Sequence, residues 1–361
     1  MKKIFRCIII LCTLNFLLPA IADAQLQPNM ADSFFNFLNG NRSRASIYIT
    51  VNDTAICHLN ENKLMPLAST FKILVVCEFA NQVAHEMINE NSFVALSDID
   101  KYYIPNTDGD AHPKWLEYEK SNDHIRNDSI RLIDVARGMI MFSSNANTEF
   151  LMDLLGFDNV KDNITLFKLK QHTAIFPIVG SLFLYQVPNK KTTEDKVLKS
   201  IAKYSDKQYS YESYDLHMKL KEDSSFKETF RPQDLTGKMQ KLWSDRLPAS
   251  TTKDYVMLAQ ALNNRESLDE EAFFTISETL EYWMETKAFL TTFKHYGAKG
   301  GNTPFVLTHV LYFTLKDGTR MEMAVFLNDL APEEEKKLET WLDPFEAQLI
   351  FDKSFRDKVK F

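Results

Sequence analysis

The chain is short of the residues from which several common sites are built. Of its four cysteines only Cys57 and Cys77 lie beyond residue 24, and no Cys-x-x-Cys occurs, which excludes a dithiol redox motif. Its ten glycines include no phosphate-binding loop. His85-Glu86 lacks a second histidine four residues on, so the zinc-protease pattern fails. Gly180-Ser181 lacks the flanks of a nucleophile elbow. No apolar run after Gln25 is long enough to span a bilayer. Basic residues are in deficit, and a formal charge of −7 argues against nucleic acid as a partner. Neither a metal nor an organic cofactor is implied.

What is present begins with an export pattern. Lys2, Lys3 and Arg6 precede the apolar run Cys7 to Leu18, and Ala22-Asp23-Ala24 offers a small-residue cleavage site. We expect residues 1–24 to be a signal peptide cleaved near Ala24 and the product to be periplasmic or secreted. An uncleaved anchor is the alternative. Cys12 follows Leu11 rather than a small residue, so no lipid anchor is expected. Residues 25–361 read as a single, monomeric composite domain, with 45% hydrophobic residues in the whole chain to build its core. In an exported protein Cys57 and Cys77 could pair. Cys77 also lies in an apolar helical pattern where a buried free thiol is common.

"ASIYITVNDTAICHLN" (Ala45 to Asn60) alternates like two strands joined at Asn52-Asp53. Phe71, Leu74, Val75, Phe79, Val83 and Met87 then fall at helical spacing. Ser129 to Gly156 gives two helical patterns around the polar patch Ser143 to Asn147, with Gly156 as a stop. The polar stretch 161–250 predicts long surface loops and an insertion. Helical patterns return from Thr251. Phe305 to Leu315, Asp317-Gly318 and Met321 to Asp329 predict a hairpin. The acidic start "PEEEKK" then leads an amphipathic helix over Leu338 to Phe351. Strands at both chain ends should form one antiparallel sheet flanked by helices, with the helical middle as a second lobe: an α/β (α+β) fold.

Serine followed three residues on by lysine occurs four times, at Ser69, Ser200, Ser224 and Ser250. Context separates the first. Ser69 and Lys72 share a face at a helix start, where the dipole favours negative charge on the serine oxygen. The apolar residues behind Lys72 imply burial, which lowers an ammonium pKa and makes a base. The other three lie in or beside the polar stretch, where a solvated lysine stays protonated. Ser143-Ser144-Asn145 is the one Ser-x-Asn of the chain. It falls between helices and can point into a cleft. Lys299-Gly300-Gly301 precedes the strand from Phe305, and its glycines allow close backbone approach.

In this order, Ser-x-x-Lys, Ser-x-Asn and Lys-Gly-Gly resemble the serine β-lactamase and penicillin-binding protein superfamily. The flanks are most similar to class A β-lactamases. The resemblance implies a β-lactamase/transpeptidase-like fold and acylation of Ser69 by a strained amide. Lys72 would take the serine proton. Ser143 would pass a proton to the departing nitrogen. Asn145 would hold the substrate amide, and Lys299 would place charge near the substrate carboxylate. Backbone N–H groups of Ser69 and Asn302, beside Gly301, would form the oxyanion hole. Tyr103 in "YYIP" resembles an aromatic flanking the cleft entrance, a surface aromatic being the alternative. The substrate would be a small β-lactam or a D-alanyl peptide.

The departures bear on turnover. Class A enzymes carry a loop glutamate that activates the deacylating water, yet Gln171 to Pro188 holds neither Asp nor Glu. Glu194, Asp195, Glu212 and Asp215 follow further on. Gly300 removes the usual hydroxyl beside the lysine, so that either Thr303 substitutes for it or nothing does, and Thr308 and His309 stand where an arginine is usual. The expectation is a β-lactamase-type hydrolase of uncertain turnover. A D,D-peptidase, an esterase and a non-catalytic peptidoglycan-binding module are the alternatives.

Overall fold

The computed structural model describes residues 28–187, 192–223 and 225–361. The expected signal peptide with its Ala24 cleavage site, residues 188–191 and Ser224 lie outside them. In chain order, the elements that position the site are helix α1 (Pro28–Gly40) and strands β1 (Ala45–Val51) and β2 (Thr54–Leu59). Helices α2 (Lys72–Ala84), α3 (Ala111–Ser121), α4 (Leu132–Met141), α5 (Asn145–Leu155), α6 (Ile178–Leu182), α7 (Asp206–Glu222) and α8 (Thr252–Asn263) come next. Strands β3 (Phe293–Thr303), β4 (Val306–Leu315) and β5 (Arg320–Leu327) precede helix α9 (Pro332–Phe351).

The five strands form one antiparallel sheet in the order β2-β1-β5-β4-β3. The two ends of the chain meet in it as expected, because β1 pairs with β5 from Ala45↔Leu327 to Val51↔Met321. The two expected hairpins, β1–β2 and β4–β5, turn where the sequence places a turn. Asn52 and Asp53 adopt φ of 47° and 63°, and Gly318 adopts 92°, conformations that Asn, Asp and Gly tolerate.

Alternation gives the sheet two different faces. Ile47, Ile49, Met323 and Val325 pack with Phe34 and Leu38 of α1 and Leu338 and Phe345 of α9 in one apolar core. Each such side chain, fully buried, contributes about 1.5–3 kcal/mol. Ser46 and Thr50 point the other way. Ser46 Oγ lies 2.7 Å from Thr252 Oγ1 on α8, and Thr50 Oγ1 donates to Glu322 at 2.6 Å. The second core fills the helical lobe around α2, whose residues from Lys72 to Ala80 are all buried. A helix apolar on every side belongs at the centre of a lobe. Cys57 belongs to the first core and Cys77 to the second; both are free thiols, so they do not pair.

The stretch 161–250 corrects the expectation of long surface loops. It holds α6 and α7 and further short helices. On α7 the buried stripe is Tyr209, Ser213, His217 and Leu220. The spacing is helical, but aromatic and polar side chains occupy it, which hides the periodicity from a hydropathy reading. Among the described residues no helix is long and apolar enough to cross a membrane.

Candidate active site

A 3-10 turn over Ala68–Phe71 runs directly into α2 at Lys72. Ala68 takes φ of 45°, unusual for a residue with a Cβ. That turn leaves Ser69 half-buried on the wall of a cleft of about 1580 Å³, while Lys72 behind it is wholly buried. Lys72 Nζ donates to Ser143 O at 2.6 Å, to Asn145 Oδ1 at 2.9 Å and to Ser143 Oγ at 3.3 Å. Among the described residues no hydrogen bond joins Lys72 to Ser69. Such contacts often tighten only when substrate binds.

The α4–α5 turn supplies these partners. Ser143 sits at φ of 64°, and Ser144 caps α5 by accepting from Asn147 N at 3.2 Å. Strain of this kind persists where surroundings over-determine it. Here Lys72 and Lys299 both grip Ser143. Lys299 Nζ, from β3, donates to Ser143 Oγ at 3.1 Å and to Gly300 O at 2.6 Å. The Ser143 hydroxyl therefore stands between two buried amines. Burial first, and then the charge of Lys299, hold the Lys72 ammonium well below its usual pKa, against the opposing pull of Asp108 and Glu149. Burial lowers Lys299 to about 7. Both lysines are thus moved toward the neutral form that can accept a proton.

Gly301 explains how β3 reaches Ser69. A Cβ there would collide with Ser69 N, 3.0 Å from Leu67 O and 2.8 Å from Thr308 Oγ1. Thr308, opposite Gly301, donates to Leu67 O at 2.8 Å and fastens the strand to the turn before Ser69. Asn302 follows and is exposed, with its Nδ2 donating to Glu335 at 3.0 Å. Gly300 faces His309, whose Cδ2 would lie 3.2 Å from a Cβ added at Gly300. His309 Nδ1 is 2.5 Å from Glu346. Burial opposes the imidazolium, but Glu346 outweighs it and the pKa is raised. Thr303 lines the cleft and accepts from Ser244 Oγ at 2.9 Å.

The structure thus brings Ser69, Lys72, Ser143, Asn145, Lys299, Gly300, Gly301 and Asn302 together. Tyr103 is not among the residues lining the cleft. It stacks on His112 with ring centroids 4.6 Å apart, and Asn106, Thr107, Asp108 and Gly109 of the following loop line the wall instead.

The segment without acids does reach the cleft. Helix α6 presents Ile178 and Leu182 to it. Glu149, one turn beyond Asn145 on α5, accepts from Val179 N at 3.2 Å and Gly180 N at 3.1 Å. His217 of α7 sits 3.1 Å from Glu149 and 3.3 Å from Asp153. Burial opposes its charge, yet bonds to Asp153 and Glu149 raise its pKa to about 9. Gly180 has no room for a side chain, because Ser213 O of α7 lies against it. Glu194, Asp195, Glu212 and Asp215 are all absent from the cleft lining. Glu194 accepts from Thr236 at 3.2 Å and Asp215 pairs with Lys219 at 2.8 Å.

Sequence reading missed Glu149, His217 and Asp108. The i, i+4 relation of Asn145 to Glu149 was an available signal; the other two had none. Glu119, His124 and Asp134 place ligand atoms within 4.8 Å of one another, outside the cleft lining. They are already engaged, by Trp115 at 3.0 Å, by one another, and by Arg131 at 2.8 Å.

A model of the Beta-lactamase enzyme family matches residues 29–339. No curated protein matches by sequence. Among solved structures, a β-lactamase from Sphaerobacter thermophilus DSM 20745 is similar at a TM-score of 0.55 and 16% identity, over 90% of this chain and 96% of that one. A class A β-lactamase from Bacteroides cellulosilyticus DSM 14838 gives 0.50 and 13%, over 88% and 97%. PBP-A gives 0.51 and 13%, over 90% and 96%.

Proposed function

The chain belongs to the beta-lactamase enzyme family, and from that premise we propose that it is an exported serine hydrolase acylated at Ser69 by β-lactam amides, which it then hydrolyses. One observation carries this reading. Lys72, a buried lysine with a depressed pKa, shares Ser143 with a second buried lysine, Lys299, beside a half-exposed serine. Lys72 accepts the Ser69 proton as Oγ attacks the ring carbonyl. Backbone N–H groups of Ser69 and Asn302 receive the oxyanion, which the missing Cβ of Gly301 makes room for. Ser143 hands a proton to the ring nitrogen as the C–N bond breaks. Asn145 orients both Lys72 and the substrate amide. The amino-terminal charge and apolar pattern supports export.

A second reading, a D,D-peptidase that keeps its acyl group, is favoured by one observation, the apolar face of α6 at the cleft. Intact-mass kinetics with a penicillin separate the two. The expected result is a transient adduct of one ligand mass in the wild type and none in Ser69→Ala. A persistent stoichiometric adduct favours the second reading. No adduct in the wild type overturns both.

A further inference from the structure

Deacylation needs a carboxylate or another base near Lys72, and the cleft offers few. Glu335 is engaged by Asn302 and Glu346 by His309. Glu339 and Asp343 stand with them on α9, and Glu117 lines the cleft from α3; none of these acts on Lys72. The carboxylates that bear on Lys72 are Asp108 and Glu149. Glu149 is wholly buried, outside the cleft lining, and committed to Val179, Gly180 and His217. Asp108 is different. It lines the same cleft as Ser69, Ser143 and Asn145, and its Oδ1 is buried without a hydrogen-bond partner. A buried carboxylate oxygen left unpaired costs about 1–3 kcal/mol or more, so its retention calls for a use.

The loop around Asp108 is built to hold it. Asn106, Gly109 and Asp110 take φ of 63°, 63° and 64°, and Thr107 Oγ1 donates to Ile104 O at 2.7 Å. Asp108 Oδ2 accepts from His112 N at 3.0 Å. His112 Nδ1 lies 3.1 Å from Ser144 Oγ, and its ring stacks under Tyr103. A chain of two contacts through His112 therefore ties Asp108 to the turn that carries Ser143 and Asn145. Only Oδ1 is left to act.

We propose that Asp108 is the general base of deacylation, resting on the acyl-enzyme reading above. In the acyl-enzyme its Oδ1, closed to solvent in the free chain, opens to a water in the cleft and takes a proton from it as the water oxygen bonds to the ester carbonyl carbon. The Ser69 Oγ–C bond breaks, and the proton passes through the Lys72 amine to Oγ. The water's second proton leaves with the carboxylic acid product and goes to solvent. Burial raises the Asp108 pKa, which strengthens the base; His112 N and Lys72 work against that rise, and Asp110 adds to it.

The test reads acylation and deacylation separately, by quenched intact mass with a penicillin on the full chain. Asp108→Asn, nearly isosteric, should acylate within about threefold of the wild type and deacylate at least about 100-fold more slowly. Its adduct should therefore accumulate. Asp108→Glu should recover part of the rate. The wild-type deacylation rate should fall at low pH, and that fall should vanish in Asp108→Asn. Unchanged deacylation in Asp108→Asn overturns the assignment, as does an equal fall in both steps with a lowered melting temperature. A wild-type adduct as long-lived as the variant's overturns it while leaving Ser69 acylation standing. A wild type that forms no adduct overturns the acyl-enzyme reading beneath it.

Discussion

The junction at Lys72 and the wall at α6 border one cleft but use their charged groups in opposite ways. Around Lys72, buried amines meet hydroxyl, amide and carbonyl oxygens and are left poised to exchange protons. Behind α6, Glu149, His217, Asp153 and Lys221 close on one another. Their charges are matched and shielded, and only Ile178 and Leu182 face the cleft. Proximity to a cleft therefore does not make a buried carboxylate reactive. What distinguishes Asp108 from Glu149 is an oxygen without a partner.

The comparison can be broken from either side. The largest effect belongs to Lys72→Ala, which should slow acylation at least about 1,000-fold, near 4 kcal/mol of barrier at 1.36 kcal/mol per tenfold. Stopped-flow acylation measures it, and a loss under tenfold would remove Lys72 from the role of base. His217 comes next and should act on stability. Its folded pKa of about 9 lies above the ordinary 6.5. The charged His217 therefore stabilises the fold fully below pH 6.5, and that stability is lost as pH rises through 9. At 1.36 kcal/mol per unit it is on the order of 3 kcal/mol. Urea midpoints across that range should fall more steeply in the wild type than in His217→Gln; parallel curves would show that His217 carries no charge.

Gly180→Ala should cost about 2 kcal/mol by overpacking α6 against the α7 backbone, with acylation kept within about tenfold. A thermal melt and the same stopped-flow trace check both parts. Tyr103→Ala should be smallest. Its ring supports His112 rather than the cleft, so acylation should change by less than about threefold, or ~0.6 kcal/mol. A larger change would return Tyr103 to the cleft wall.

Legibility followed the same division. The hairpins at Asn52-Asp53 and Asp317-Gly318 could be read because turn chemistry is local. The grouping of Ser69, Lys72, Ser143, Asn145 and Lys299 could be read because each lies at a recognisable junction of helix, turn or strand. The 161–250 stretch could not, since α7 buries Tyr209, Ser213 and His217 where a hydropathy pattern expects aliphatics. Asp108 was hidden for another reason. In "NTDGD" any acid looks solvated, and only the contact from His112 N and the orphaned Oδ1 tell it apart from Asp110.

The pairing of β1 with β5 sets an order on folding. Residues 45–51 find their central partner only in residues 320–327, so most of the chain must be made before the sheet can close. A chain emerging from a ribosome or a translocation pore holds β1 with β2 alone beside it, and an isolated hairpin is marginal in water. The sheet is then assembled late and over a long loop, a high-contact-order step that should make folding slow and place it after chain completion.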